Sequence, residues 1–489
     1  MQAVRWTFVA MLAIPGIALA QTVEELRREL DAMKQKVQAL EEKLERIESP
    51  PAPAPAATPA PAAPSALDRA LEAARRETVA PPADPGVPAA AAKPGLPQGT
   101  LLSGRVGGAT LRLVDVSFDI LTAAGWSTAD DEQIEILEGG AHDPKRRGFT
   151  LQQGELSLAG AVDPYFTAEA HAIFTADEVE LEEAFARTTA LPYGLQATAG
   201  YFFTRFGRLN WQHPHAWDWM DQPVILTRLF GGEGLRNSGV EASWLVPLPW
   251  YTELKLSAQN AAGGTAASFL GEGEEDEDEH GHGGEQGPIG GRPVVERSVN
   301  HLDDLLYMAR LQTGWTLTDS LSAAFGWSAL FGPNATGGDE RTTIYGTDLV
   351  VKWRPATNFR GWPFLTWQTE VMQRDFEAAA VPDMNLPATT LYDWGLYSQL
   401  LWGFHYRWAA GVRYEYADGT GQSVGGLNED PYRSARTRVA PLLVWQTSEF
   451  SRLRLQYNFD DARFLPEREA NSVWVGLEVG FGAHPAHQY

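Results

Sequence analysis

Cysteine is absent from all 489 residues. No disulfide, thiolate metal site or lipid-anchored cysteine is available, so whatever holds the fold is non-covalent. Positive charge is scarce too: 39 lysines and arginines stand against 63 aspartates and glutamates, a formal net charge of −24. Nucleic acid is disfavoured as a partner, because phosphate binding needs clustered cations. The acidic balance fits either a solvated exterior or a vestibule that attracts cations. Beyond the N-terminus there is no run of about 18 apolar residues, the length that a membrane-crossing helix requires. Neither a P-loop nor an H-E-x-x-H helix is present, which removes two common signatures of nucleotide and zinc-hydrolase chemistry. A single G-x-S-x-G lies at Gly421–Gly425. It sits in a glycine-rich stretch between strands, not at a strand-to-helix turn, so no nucleophile is expected there. The chain does not read as an enzyme.

What the chain does have is period-two alternation over residues 109–481. Arg452, Arg454, Gln456, Asn458 and Asp460 interleave with Leu453, Leu455, Tyr457 and Phe459. Glu253, Lys255, Ser257 and Gln259 interleave with Leu254, Leu256 and Ala258, and Val473 to Phe481 alternate with Ser472 to Gly480. Sixteen such runs start near residues 109, 148, 165, 178, 195, 236, 250, 303, 319, 342, 362, 389, 408, 434, 450 and 471. Tight turns, such as those at Val162–Pro164, Leu191–Gly194, Pro247–Trp250 and Thr447–Phe450, take turns with long polar segments at 127–147, 211–235, 263–301, 333–341, 379–388, 418–432 and 462–469. The link near Ala176–Asp177 breaks this rhythm, being short where a long one is due. Up-and-down outer-membrane barrels carry short turns on one side and long loops on the other, with an even strand number. The 17 tryptophans and 14 tyrosines suit two aromatic girdles at membrane interfaces. The expected fold is therefore all-β: a transmembrane antiparallel barrel of about 16 strands occupying residues 101–489, wide enough for an aqueous channel.

The N-terminal fifth is different. Residues 1–20 read as a signal peptide, with Arg5 before an apolar stretch and Ala18-Leu19-Ala20 as a cleavage site. In residues 21–49, Val23, Leu26, Leu30, Met33, Val37, Leu40, Leu44 and Ile47 form an unbroken a/d seam. The pairs Glu29–Lys34, Lys36–Glu41 and Lys43–Glu48 are each opposite in sign, which favours parallel in-register helices. The strand number is left open by the seam residues; a homotrimer would suit a porin. Residues 50–100, rich in Pro and Ala, form a semi-rigid linker that reaches across the periplasm and allows contact with peptidoglycan.

Two segments and a set of charges are candidates for function. Residues 211–235 hold Trp211, Trp217, Trp219, Met220, Val224, Ile225, Leu226, Leu229 and Phe230. A loop in solvent would not carry so many large apolar groups. It either packs on the rim or folds into the lumen, where His213, His215, Asp218, Asp221 and Arg228 would line a constriction. Candidate lumen charges are Arg205, Arg310, Lys352, Arg354, Arg413, Arg452, Arg454, Glu253, Lys255 and Glu478. Such arginines also commonly form structural ladders with carboxylates, here Glu155, Glu169, Asp348, Glu415 and Asp460. Residues 271–284 place seven carboxylates, among them Glu277 and Glu279, before His280 and His282. That set suits a divalent metal such as Zn, Ni or Cu, or is simply a solvated acidic loop. His484 and His487 near the C-terminus look incidental.

The stretches "RRGFTLQQGELSLAGAVDPYFTAEAHAIF" from Arg146 and "VELEEAFARTTALPYGLQATAGYFFTRFGRLN" from Val179 resemble the phosphate-selective porin O/P family. That resemblance implies a sixteen-stranded trimeric channel. The family's anion-selective members carry runs of Lys and Arg in the eyelet, whereas the lumen cations here are scattered, so phosphate selectivity does not carry over. The acidic histidine loop is similar to loops of zinc-regulated, TonB-dependent outer-membrane receptors, but the plug domain and larger barrel of such receptors have no counterpart here. The function expected is passive diffusion of small solutes or ions. The alternatives are a surface metal-binding protein and a tether between membrane and cell wall.

Overall fold

In a computed structural model of the chain, residues 102–106, 109–161, 163–176, 178–271, 289–295 and 297–482 are described. The signal peptide, coiled coil and linker expected from the sequence lie outside the described residues, as do Glu277, Glu279, His280, His282, His484 and His487. A short strand β1 (Leu102–Val106) pairs with the start of β2 (Ala109–Ser127). The ring continues through β3 (Gly148–Ala161), β4 (Phe166–Phe174), β5 (Val179–Thr188), β6 (Leu195–Phe203), β7 (Arg236–Leu245), β8 (Tyr251–Asn260) and β9 (Leu305–Thr318). Next come β10 (Leu321–Pro333), β11 (Arg341–Trp353), β12 (Phe364–Ala378), β13 (Thr389–His405) and β14 (Trp408–Thr420). The last three are β15 (Arg436–Gln446), β16 (Ser451–Ala462) and β17 (Glu469–Gly482). From β2 onward each strand pairs antiparallel with its successor, and β17 pairs back onto β2, so sixteen strands close into a barrel. Closure satisfies every ladder without leaving an open edge, the condition for β-structure to cross a bilayer.

Each of the sixteen strands begins within two residues of the position that the alternation predicts. The reason is that a one-residue slip would turn a whole strand inside out. In β16, Gln456, Asn458 and Asp460 are buried toward the interior while Leu455 and Tyr457 point outward and are exposed. In β17, Val473, Val475, Leu477, Val479 and Phe481 form the same kind of outward row. An outer face of this kind is suited to lipid, and an inner face of charge is suited to water or to ion pairs. The β4–β5 connection is short, Phe174 to Val179, as the sequence indicated.

The interior departs from the simple expectation of an open bore. The long segment between β2 and β3 contains helix α1 (Asp131–Leu137), capped by Asp130 and Gln133 in a reciprocal capping box. Its Ile134 and Leu137 are buried with Met220, Leu465 and Trp474. A segment read from sequence only as a long polar loop thus turns inward on its apolar face.

The lipid-facing assignment predicts a specific cost. Leu455→Arg, placed between Leu443 and Val475 on the outer face, is expected to lower folding stability in lipid bilayers by about 2–4 kcal/mol if it lies at the midplane. Denaturant unfolding in vesicles measures this; an unchanged midpoint would show that this face is not in lipid.

Candidate functional site

Residues 204–235, between β6 and β7, cross the barrel interior. Their backbone is bonded to the wall on several sides. Gly207 N–H donates to Ser328 Oγ at 3.2 Å, and the N–H groups of Arg208 and Leu209 donate to the Glu370 carboxylate at 2.8 and 3.0 Å. Further along, Met220 N–H donates to Gln456 and Val224 N–H to Glu415. In the other direction Arg452 donates to the carbonyls of His215 and Trp217, and Arg454 to those of Trp217 and Trp219. Buried polar backbone needs partners, and here the wall supplies many of them.

The segment ends in a short helix, α2 (Val224–Phe230), whose seven residues are all buried; Gly231, at φ 78°, turns the chain out of it. Apolar side chains of the segment fill the space between it and the wall. Phe206, Leu209, Val224, Ile225, Leu226, Leu229 and Phe230 form one cluster with Leu306, Met308, Leu330, Ile344 and Met372. Four wall glycines make room for it. A Cβ on Gly346 would lie 2.7 Å from the Phe206 ring, on Gly395 2.9 Å from Ile225, on Gly411 2.9 Å from Trp219 and on Gly476 2.6 Å from Met220. Three further segment residues, Trp217, Trp219 and Met220, are buried as well.

Charge fixes the same segment. Asp221 Oδ1 accepts from Arg413 at 2.5 Å and Gln456 at 2.7 Å, and its Oδ2 from Arg438 at 2.5 Å and Asn458 at 2.9 Å. Arg438 also pairs with Glu138, beyond the end of α1, and with Asp460. Arg436 shares Asp460 and donates to Leu137 O. A second group joins Arg374, Asp393 and Arg433, with Arg374 reaching the Arg228 carbonyl and Ser268. Arg228 itself donates to the carbonyls of Arg433 and Ser434.

The residues singled out from sequence therefore divide. Asp221 and Arg228 are 1% and 3% exposed and are held in the packing between segment and wall, so neither lines open water. Arg310, Arg413 and Arg454, at 1–2% exposed, are likewise sealed in pairs with Asp348, with Asp221 and Glu415, and with Glu478. Arg452 shares Glu478. Arg354 lies one residue past β11 in an exposed turn, beyond the wall. Arg205 opens the inward segment and stacks on Trp211, 5.0 Å from the ring centre. His213 and His215 meet Glu155, Glu182 and Glu183 where the segment leaves β6. Half-buried are Arg205, Arg208, Trp211, Gln212, His213 and Asp218 from the segment, and Glu253, Lys255 and Lys352 on the strands. Asp218 faces Arg452, Arg454, Lys352 and Arg208. Glu253 and Lys255 pair with each other at 2.7 Å.

Sequence reading missed Arg374, Arg433, Arg436, Arg438, Glu138, Glu182, Glu183, Glu370 and Asp393. The alternation in β15 carried a usable signal for Arg436 and Arg438, which occupy inward positions of a strand whose outward face is apolar. The G-x-S-x-G serine, Ser423, is buried in the segment after β14 and accepts from Arg433 at 2.8 Å.

A protein of Aquifex aeolicus (strain VF5), described only as uncharacterized, is 31% identical over 353 residues, 71% of each chain. The chain belongs to the family of that protein. No family model matches the chain. Among solved structures, similarity is found to the outer membrane channel DcaP of Acinetobacter baumannii, with TM-score 0.49 and 11% identity over 75% of this chain and 97% of that one. The anion-selective porin from Comamonas acidovorans gives TM-score 0.47 and 9% identity over 75% and 99% of the two chains. OprB of Pseudomonas putida gives 0.45 and 8% over 76% and 94%.

Removing Asp221 leaves Arg413 and Arg438 short of a buried counter-ion. Asp221→Ala is expected to cost about 3–5 kcal/mol, the range for breaking a buried pair from one side. Gly411→Val, which forces Trp219 off the wall, should cost about 1–3 kcal/mol as overpacking. Thermal unfolding of the two variants checks both; unchanged transitions would mean that the segment is not clamped as described.

Proposed function

We propose that the protein is a passive channel of the bacterial outer membrane for small solutes or ions. The observation that carries this is the closed sixteen-strand ring with charge inside and apolar side chains outside. A ring of this size is wider than its own wall side chains can fill. The inward segment packs against part of the wall and presents a half-buried polar face, Arg205, Arg208, Gln212 and Asp218, on its other side. The water path runs between that face and the strands carrying Glu253, Lys255 and Lys352. Specificity in such a path comes from its width and its lining charges.

On this reading the tight-turn end faces the periplasm. The heptads of residues 21–49 join copies, as a homotrimer, and residues 50–100 extend from the barrel toward the peptidoglycan. The sequence likeness to phosphate-selective porins supports the channel class and not the phosphate, because the water-facing band mixes Arg208 and Lys352 with Asp218 and Glu253. Divalent-metal capture by His280 and His282 in residues 271–284 is a separate property that a channel of this kind could also possess.

Purified protein in planar bilayers should give stepwise currents. In a salt gradient, Lys352→Glu should move the reversal potential toward cation preference and Asp218→Lys toward anion preference. Absence of stepwise current from correctly folded protein would end the channel reading. Identical reversal potentials in both variants would place the water path elsewhere.

A further inference from the structure

Where the inward segment leaves β6, three histidines and three glutamates converge. His213 Nδ1 lies 2.7 Å from Glu182 Oε2 and 3.1 Å from Glu155 Oε1; His215 Nδ1 lies 2.8 Å from Glu155 Oε2. The ligand atoms of Glu155, His213 and His215 all fall within 4.8 Å of one another. His171 stands behind them, its ring centre 4.5 Å from that of His213 and its Nδ1 3.2 Å from Glu155.

Three features of this cluster go beyond ion pairing. The first is how Glu182 comes to be there. The β4–β5 register shifts between His171 and Ala172, which pair with Glu183 and Leu181, so Glu182 is an extra residue in its strand. This bulge turns two consecutive carboxylates, Glu182 and Glu183, to the buried side, where a regular strand would send one outward. The second is the tautomer of His213. Its Nε2 lies 2.9 Å from Glu183 Oε2 in hydrogen-bond geometry. In a neutral ring a carboxylate at one nitrogen holds the proton there and frees the other nitrogen to act as a ligand, the arrangement by which metal-binding histidines are oriented. The third is what that other nitrogen meets. His213 Nδ1 and Glu182 Oε2 are both buried, and neither is aligned for a hydrogen bond despite their 2.7 Å approach. A contact that close requires positive charge at the pair, supplied by a second proton on the ring or by a bound cation.

We propose that Glu155, His213 and His215 form a binding site for a divalent transition-metal ion of the zinc class, with a fourth position open to water and Glu182 beside His213. Two imidazoles with a carboxylate suit zinc, cobalt, nickel or copper and not calcium or magnesium, which take oxygen alone. Tetrahedral ligands at about 2.0–2.1 Å stand some 3.3 Å apart, and the ligand atoms of Glu155, His213 and His215 draw in from within 4.8 Å to reach that spacing. Glu183 is the positioning residue for His213. The bound ion ties the inward segment, through His213 and His215, to Glu155 on β3. The site is distinct from residues 271–284 and does not depend on whether the barrel conducts.

The test uses the full chain with His280, His282, His484 and His487 replaced by alanine, purified in detergent and titrated with Co²⁺ alone. One equivalent should bind and give the visible absorption of four-coordinate cobalt, which Zn²⁺ then displaces. Adding His213→Ala should abolish the band. Glu183→Gln should weaken binding by roughly 10–100-fold while keeping the band's shape. His405→Ala, in the exposed end of β13, should change nothing. Heat-modifiable electrophoretic mobility establishes that each barrel is folded. No saturable cobalt band in the parent chain would overturn the proposal, without need of any site variant. An unchanged isotherm in folded His213→Ala would overturn it equally.

Discussion

A charge taken out of water must find an opposite charge or a hydrogen-bonding partner, or the structure cannot hold it. That constraint organises the interior of this barrel. Arginines project inward from β9, β12, β14, β15 and β16 at Arg310, Arg374, Arg413, Arg438 and Arg454, and each is almost fully buried. Carboxylates of neighbouring strands meet part of the demand. The remainder is met by segment 204–235, which supplies the Asp221 carboxylate and the carbonyls of His215, Trp217, Trp219 and Arg228. The wall's cations and the segment's acceptors are thus each other's condition for burial.

Packing then sharpens what charge permits. The inward row of each strand would normally be filled by side chains, but at Gly346, Gly395, Gly411 and Gly476 it is left bare, and a large apolar group from the segment occupies each gap. The result is a set of hydrophobic clusters, to which Phe206 and Ile225, Met220, and Trp219 contribute in turn, inside a barrel whose outside is also hydrophobic. Two apolar surfaces are separated by a single sheet, one meeting lipid and one meeting the segment. The polar side of the segment is left for water, and the histidine–glutamate cluster sits where segment and wall part.

Much of the fold was legible because a barrel strand has only two faces. Arg452, Arg454, Gln456 and Asp460 admit one orientation once lipid is assigned to the other side, and this fixed the strand starts as well. An inward path for 211–235 was readable as one of two options from its tryptophans and aliphatics, which solvent would not accept. What could not be read was partnership across distant strands. Nothing local to Arg438 points to Glu138, 300 residues away in sequence. Nor does the text around Glu182 announce a bulge, since period two would simply send one of two adjacent glutamates outward. Arg310, Arg413 and Arg454 lie on inward faces in ladders with carboxylates, one of the two arrangements that the sequence allows for them.

The absence of native cysteine allows the central claim, that segment 204–235 lines the water path with one face and is sealed against the wall with the other, to be tested by a single labelling experiment. Asp218→Cys and Arg228→Cys, each the only thiol in its chain, are exposed to a water-soluble sulfonate-bearing thiol reagent during current recording. The structure predicts rapid modification and a large fall in current at position 218, and neither at position 228. Complete labelling at 218 with current unchanged, or ready labelling at 228, would contradict it.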